Sequence, residues 1–202
     1  MTKEFDGGLR NEHQVSVGID QSLTGFAFSA VSVEYPTEHI TWVFKSTYSG
    51  IQRLDDIQNF MYEKFTWLKD RGNTIVDIAM ESPFMGAPST LVLAELAAAV
   101  KLFLYDHFNG TNNYAEAADP TLRTPLVVPP MTLKKYATGK GTSKKQEMLL
   151  QIYKRWGVEF NDDNAADAYA LARLAGSHSI DGVEKAVVAQ IKDIKYRDYI
   201  AQ

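Results

Sequence analysis

Two strand-like runs that each end on an acid constrain this chain more than anything else in it. Gln14 to Ile19 alternates Val15, Val17 and Ile19 and stops at Asp20; Thr74 to Met80 is a mostly apolar, β-branched run that delivers Glu81. A third acid, Asp167, lies one turn into a helix-forming stretch otherwise built from small or apolar residues (Ala165, Ala166, Ala168, Ala170, Leu171, Ala172, Leu174). A carboxylate at the end of a buried strand, or on a small-residue helix face, gains nothing from burial and is costly there unless something pairs it. A hard divalent cation is the partner best suited to several such oxygens.

The remaining elements follow from the hydrophobic period. Gly25 to Glu34 and Ile40 to Tyr48 read as two further strands, joined to the first by short connections as an antiparallel meander. Leu54, Ile57, Met61, Phe65 and Leu68 then recur at helical spacing over Ile51 to Lys69. After the Thr74 to Met80 strand come a helix over Ser89 to His107, a loop over Asn109 to Thr124 and a short strand at Leu126 to Val128. Helices follow over Thr132 to Ala137, Ser143 to Trp156, Asp163 to Gly176 and Val183 to Tyr199. The pattern predicts one α/β domain over 14–202, a mixed five-stranded sheet flanked by helices. Residues 1–13 are polar and aperiodic and are expected to be a flexible N-terminus.

Composition narrows the chemistry. With no cysteine among 202 residues, disulfides, thiolate metal sites and a cysteine nucleophile are excluded. No apolar run reaches the roughly 20 residues of a membrane span, and no secretory signal opens the sequence, so a cytoplasmic protein is expected. The net charge of −4 argues against nucleic acid as a partner, but the charge is unevenly distributed. Between Met131 and Gly157 seven basic residues (Lys134, Lys135, Lys140, Lys144, Lys145, Lys154, Arg155) face Glu147 alone. A phosphate backbone meets a local patch rather than the global charge. Gly139-Lys140-Gly141-Thr142-Ser143 also brings backbone amides to a helix start, a ready anion site.

Separated carboxylates that converge, beside a basic segment, suit phosphodiester hydrolysis. That reaction needs charge neutralised on the phosphate, an activated water and a stabilised leaving alkoxide, which two Mg²⁺ or Mn²⁺ ions about 4 Å apart supply. Around Asp167 a structural role is equally available. Asp162, Asp163 or Asn164 can cap the helix, with Asp167 in its favourable first turn. Capping and metal binding are compatible there. His13, His39, His107 and His178 have no metal-ligand spacing, and Trp42, Trp67 and Trp156 read as core or half-buried residues.

Four motifs in order carry a resemblance. Gly18-Ile19-Asp20 with Thr24-Gly25, Glu81-x-x-Phe84 after a strand, Gly139-x-Gly141-x-x-x-Lys145, and Ala165-Ala166-Asp167-Ala168 opening a helix together resemble the RuvC-like Holliday junction resolvases. The form Asp163-Asn164-Ala165-Ala166-Asp167-Ala168 is similar to the phage-type members. The resemblance implies a ribonuclease-H-like fold and a metal-dependent endonuclease that makes paired nicks in four-way DNA junctions and leaves 5′-phosphate and 3′-hydroxyl ends. It implies that Asp20, Glu81 and Asp167 hold two Mg²⁺ ions, with Mn²⁺ as substitute. The family places another ligand three residues before the last acid; here that position is Asn164, a departure, and the adjacent Asp163 is the expected fourth ligand and catalytic residue. Phe84 falls on an aromatic that contacts or unstacks bases, and Lys134 and Lys145 on basic residues directed at DNA, with Lys140 and Lys144 flanking them. The alanine-rich helix over Ser89 to His107 resembles the family's dimer helix, which implies a homodimer in a bacterium or phage-infected cell. Rival readings are a flap or branched-DNA nuclease, a non-catalytic junction-binding protein, and an actin-like phosphotransferase. The last predicts a second phosphate loop late in the chain, and the sequence has none.

Overall fold

The computed structural model describes residues 1–83, 90–108, 120–193 and 196–197. In chain order the elements are β1 (Thr2–Asp6), β2 (Gln14–Asp20), β3 (Phe26–Ser32), β4 (His39–Phe44), α1 (Gly50–Asp70), β5 (Thr74–Glu81) and α2 (Thr90–His107). They continue with α3 (Pro120–Arg123), β6 (Leu126–Val128), α4 (Pro130–Thr138), α5 (Lys145–Trp156), α6 (Asp163–Ala175) and α7 (Gly182–Ile191). The strands form one mixed sheet in the order β1-β4-β3-β2-β5-β6. The first four pair antiparallel, whereas β5 runs parallel to both β2 and β6.

Strand period sorts the side chains onto two faces. Val15, Val17 and Ile19 of β2, Phe26, Phe28 and Ala30 of β3, and Ile78 and Met80 of β5 pack with Phe60, Met61, Phe65 and Leu68 of α1 and Leu96, Val100 and Leu104 of α2. The intervening residues Ala27, Val31 and Ala79 face the opposite layer, built from α4, α5, α6 and α7. By the same alternation Ser16, Gly18 and Asp20 of β2, and Asp77, Ala79 and Glu81 of β5, belong to that second face. The parallel register sets Gly18 beside Ala79 and Ile19 beside Met80, so Asp20 and Glu81 occupy the next step of the two strands.

Helix α6 lies directly on that face. From Ala165 to Ala175 every residue but Asp167 is buried. Small side chains let its backbone touch the sheet: a Cβ placed on Gly18 would fall 2.0 Å from the Ala168 carbonyl oxygen and 2.3 Å from the Ala172 nitrogen. Two residues back on the same face, Ser16 Oγ donates to the Ala172 carbonyl at 2.7 Å. The contact sets both the height and the rotation of α6, and with them the position of Asp167.

Three expectations need correction. The sheet has six strands rather than five, because residues within the expected flexible N-terminus form β1 on the sheet edge, with Thr2 to Asp6 paired against Phe44 to Ile40. Its sequence, Thr-Lys-Glu-Phe-Asp, is mostly charged, as suits an edge strand, and so lacks the alternation that reveals a half-buried one. Phe5 provides its apolar anchor, edge-on to Phe160 at 5.3 Å between ring centroids. The last helix stops at Ile191 instead of reaching Tyr199. Lys192 and Arg197 instead converge on the buried Asp77, each at 2.7 Å, and Arg197 bridges to Leu126. The stretch expected as a loop ends in the single turn α3; residues 109–119 lie outside the described residues. Among the described residues no helix is long and apolar enough to cross a membrane.

Gly18→Ala tests the close approach of α6 directly. The added methyl meets backbone on both sides and cannot be accommodated by a rotamer change. We expect a loss of about 3 kcal/mol or more, at or above the upper end of ordinary overpacking, read as the midpoint of denaturant unfolding. Ser16→Ala, which removes one hydrogen bond and leaves its acceptor buried, should cost about 1–3 kcal/mol.

Candidate active site

The carboxyl ends of β2 and β5, the start of α6 and the facing sides of α4 and α5 enclose a cleft of about 620 Å³. Asp20, Glu81 and Asp167 line it together with Lys134 and Lys145. Ligand sites in α/β sheets commonly lie beyond the carboxyl ends of strands, where loops diverge and leave a crevice. Three elements far apart in sequence thus bring one acid each to one place. Asp20 is buried at 4 % exposure, while Glu81 and Asp167 are part-buried.

The electrostatics record their proximity. Burial raises the Asp20 pKa well above the ordinary carboxylate range, and the charges of Glu81 and Asp167 raise it further. Glu81 is pushed up to about 7, mainly by burial and next by Asp167. Asp167 is also pushed up to about 7 by burial, with Asp163 adding to the effect. Lys145 opposes the rise at all three acids, and Lys134 at Glu81 and Asp167. The site therefore has more negative charge than its lysines neutralise.

The residues before Asp167 divide the available roles. Asp162 is the N-cap of α6, its Oδ1 accepting from the amides of Asn164 at 3.1 Å and Ala165 at 3.3 Å. Asp163, expected as the fourth ligand, is not among the cleft-lining residues and forms an ion pair with Lys145 at 3.4 Å. Asn164 does line the cleft. Its side chain is seated against Gly25, where an added Cβ would come within 2.6 Å of Nδ2. Lys140 and Lys144 are exposed and lie in the α4–α5 connection and at its junction with α5, outside the cleft lining. Thr138 organises this connection: its hydroxyl lies within hydrogen-bond distance of the Lys134 and Lys140 carbonyls, one of which accepts its proton, and of Ser143 Oγ. Phe84 lies outside the described residues.

Gln21 went unnoticed in the sequence. It lines the cleft, is buried, and donates from Nε2 to the Glu81 carbonyl at 2.5 Å, while its Oε1 has no hydrogen-bond partner among the described residues. The available signal was a polar residue directly after a strand-end acid, where the chain should already be turning into solvent.

The donor set fits a divalent cation. It consists of carboxylates with a buried, unsatisfied amide oxygen and contains neither imidazole nor thiolate, a hard-oxygen environment of the kind Mg²⁺ and Mn²⁺ prefer. Among the described residues, no three His, Asp or Glu side chains are gathered tightly enough to hold a metal ion. The acids share the cleft and perturb one another, and uncompensated like charges resist closer approach.

A pH signature follows. Unfolded, Asp167 titrates near its ordinary 3.8; folded, it titrates near 7. Its protonated form stabilises the fold below the first value, and that contribution is lost as pH rises through the second. In EDTA, wild type and Asp167→Asn should have similar stability at pH 4. By pH 8 the variant should be the more stable, by on the order of 2–4 kcal/mol. Comparing the two proteins by chemical unfolding at each pH cancels the opposite trend from buried His39 and His107 and part-buried His178, whose pKa values are lowered to about 4.

No protein-family model and no curated protein matches the chain. Solved structures do. The structure of RuvC from Thermus thermophilus superposes with a TM-score of 0.59 at 18% identity, covering 91% of this chain and 98% of that one. T. thermophilus RuvC in complex with Holliday junction substrate superposes at 0.60, again at 18% identity, covering 89% of this chain and 96% of that one. Nearly the whole of each RuvC chain is matched, and the protein described above has the RuvC fold, a ribonuclease-H-like α/β architecture.

Proposed function

We propose that the protein is a divalent-metal-dependent endonuclease that resolves four-way DNA junctions by paired nicks. The observation that carries this reading is the delivery of Asp20, Glu81 and Asp167 by three separate elements to one cleft that Lys134 and Lys145 also line. The RuvC fold, and the binding of a Holliday junction by T. thermophilus RuvC, support the choice of substrate.

Asp20, Glu81 and Asp167 would hold two Mg²⁺ ions, or Mn²⁺ in their place. The ions supply phosphate charge neutralisation, an activated water and leaving-group stabilisation. The protein's own groups supply placement. Lys145, the first residue of α5, combines its ammonium with the amides of a helix start that has no side-chain cap, and would hold a phosphate at the cleft mouth. Lys134 reaches the same space from α4. Asp163 holds Lys145 by their ion pair, and the fourth oxygen falls to Asn164. Lys140 and Lys144 would contact the DNA backbone farther from the cut, and Phe84 an exposed base. Such an enzyme would act in the cytoplasm of a bacterium or of a phage-infected cell.

Paired nicking calls for two sites related by a twofold axis. The outer face of α2 supplies a surface for it. Leu91 is 73% exposed and Leu102 59%, with exposed Ala94 and Ala98 between them at helical spacing. We place a second copy of the chain against this stripe. Leu102→Glu should convert a dimer to a monomer in sedimentation velocity while leaving the unfolding midpoint nearly unchanged; an unchanged sedimentation coefficient would refute this interface.

Cleavage of a synthetic four-way junction in Mg²⁺, Mn²⁺ or EDTA, with products mapped on all four strands, tests the function. Symmetric nicks that require the metal are expected. Asp20→Asn should reduce cleavage by more than about 10³-fold, as loss of an acid that would hold the metal predicts, with junction binding retained. Asp163→Asn should cost far less than Asp20→Asn. Faster cleavage of flaps or forks than of junctions would favour the broader nuclease, and binding without products in any divalent ion the non-catalytic reading.

A further inference from the structure

Gln21 directly follows the first acid, yet its side chain reaches across to the strand that carries the second. Nε2 donates to the backbone carbonyl of Glu81 at 2.5 Å, across the ends of β2 and β5. The last parallel pair of those strands is Ile19 with Met80, so this bond continues the connection one step beyond the ladder, at the level of the acids. The side chain is only 4 % exposed although it lines the cleft. Oε1, the other half of the amide, is buried and receives no hydrogen bond among the described residues. A neutral acceptor enclosed beside three carboxylates has few possible complements. Other acids repel it unless protonated, whereas a cation, or water polarised by one, satisfies it.

We propose that Gln21 is a positioning residue for the metal centre. Its Nε2 fixes Glu81 relative to Asp20, and its Oε1 supplies a neutral oxygen to a divalent cation held by those acids, or to water bound to that cation. The proposal rests on the metal-dependent reading above. Asparagine is too short by one methylene to make the same bridge, and methionine fills similar volume without a donor or amide oxygen. Methionine removes the amide while keeping the bulk, and asparagine keeps an amide but withdraws it from the bridge.

The test is an Mg²⁺ titration of wild type, Gln21→Met and Gln21→Asn, followed by thermal unfolding, with junction binding in EDTA measured alongside. The Mg²⁺ half-point, taken as the dissociation constant fitted to the logarithmic rise of the unfolding midpoint with free Mg²⁺, should increase by about 10–100-fold in both variants, the range seen when groups supporting metal ligands are lost. Junction binding in EDTA should stay within about twofold of wild type. A merely structural Gln21 would lower the unfolding midpoint in EDTA and leave the Mg²⁺ half-point unmoved, and that result overturns the proposal. A wild-type protein that Mg²⁺ does not stabilise at all would instead sink the metal-centre reading, and the proposal with it. One measurement needs no variant: the Gln21 side-chain amide signal in the ¹⁵N spectrum of the wild-type protein should move with the same Mg²⁺ half-point as the thermal shift. If it does not respond, Gln21 has no part in the metal centre.

Discussion

Contact between the backbone of α6 and Gly18 is the constraint on which the rest of the molecule depends. A helix usually rides on a sheet at a distance set by the side chains between them. Here glycine on the strand and alanines on the helix remove most of that spacer, and Ser16 adds a hydrogen bond to the helix backbone. Close packing leaves little freedom for sliding or rotation. Asp167 is thereby held over the ends of β2 and β5, and residues that perform no chemistry define the geometry of those that would.

The same arrangement concentrates negative charge where water is scarce. Sheet and helix provide an apolar enclosure, and each acid raises the proton affinity of its neighbours. Lys134 and Lys145 offset part of this field. The remaining imbalance opposes maximal stability of the protein near neutral pH. Active sites commonly carry such internal conflict, because groups arranged for function are not arranged for stability.

Much of this was legible in the sequence because it rests on period. Alternating Val15, Val17 and Ile19 identified the inner face of β2, and alternation alone put Asp20 on the other side. Glu81 followed from the apolar, β-branched run that ends on it, and Asp167 from the small-residue stretch around it, where an acid gains nothing from burial. Features that depend on tertiary geometry were not legible. β1 carries charges on an edge and takes its structure from β4, so its own residues announce nothing. Whether Asp163 or Asn164 entered the cleft depended on helix rotation, which Gly18 and Gly25 set from elsewhere in the chain. Helical spacing continued past Ile191, but the pull of buried Asp77 on Lys192 and Arg197 redirects the backbone. Gln21 escaped notice because its partner is a main-chain carbonyl 60 residues away.

The two ends of α6 are held by segments that lie on either side of it in sequence. Lys3 of β1 donates to Asn161 at 2.6 Å and lies 3.7 Å from Asp162, at the start of the helix. Lys192 donates to the Ala175 carbonyl at 2.6 Å, at its finish. Ribosomal synthesis supplies these clamps at widely different times: the first is made well before the helix, while the second emerges only after the helix itself. A nascent chain can therefore complete its antiparallel strands long before Asp167 is fastened above them. The cleft lined by Asp20, Glu81 and Asp167 would then be completed only in the last stage of folding.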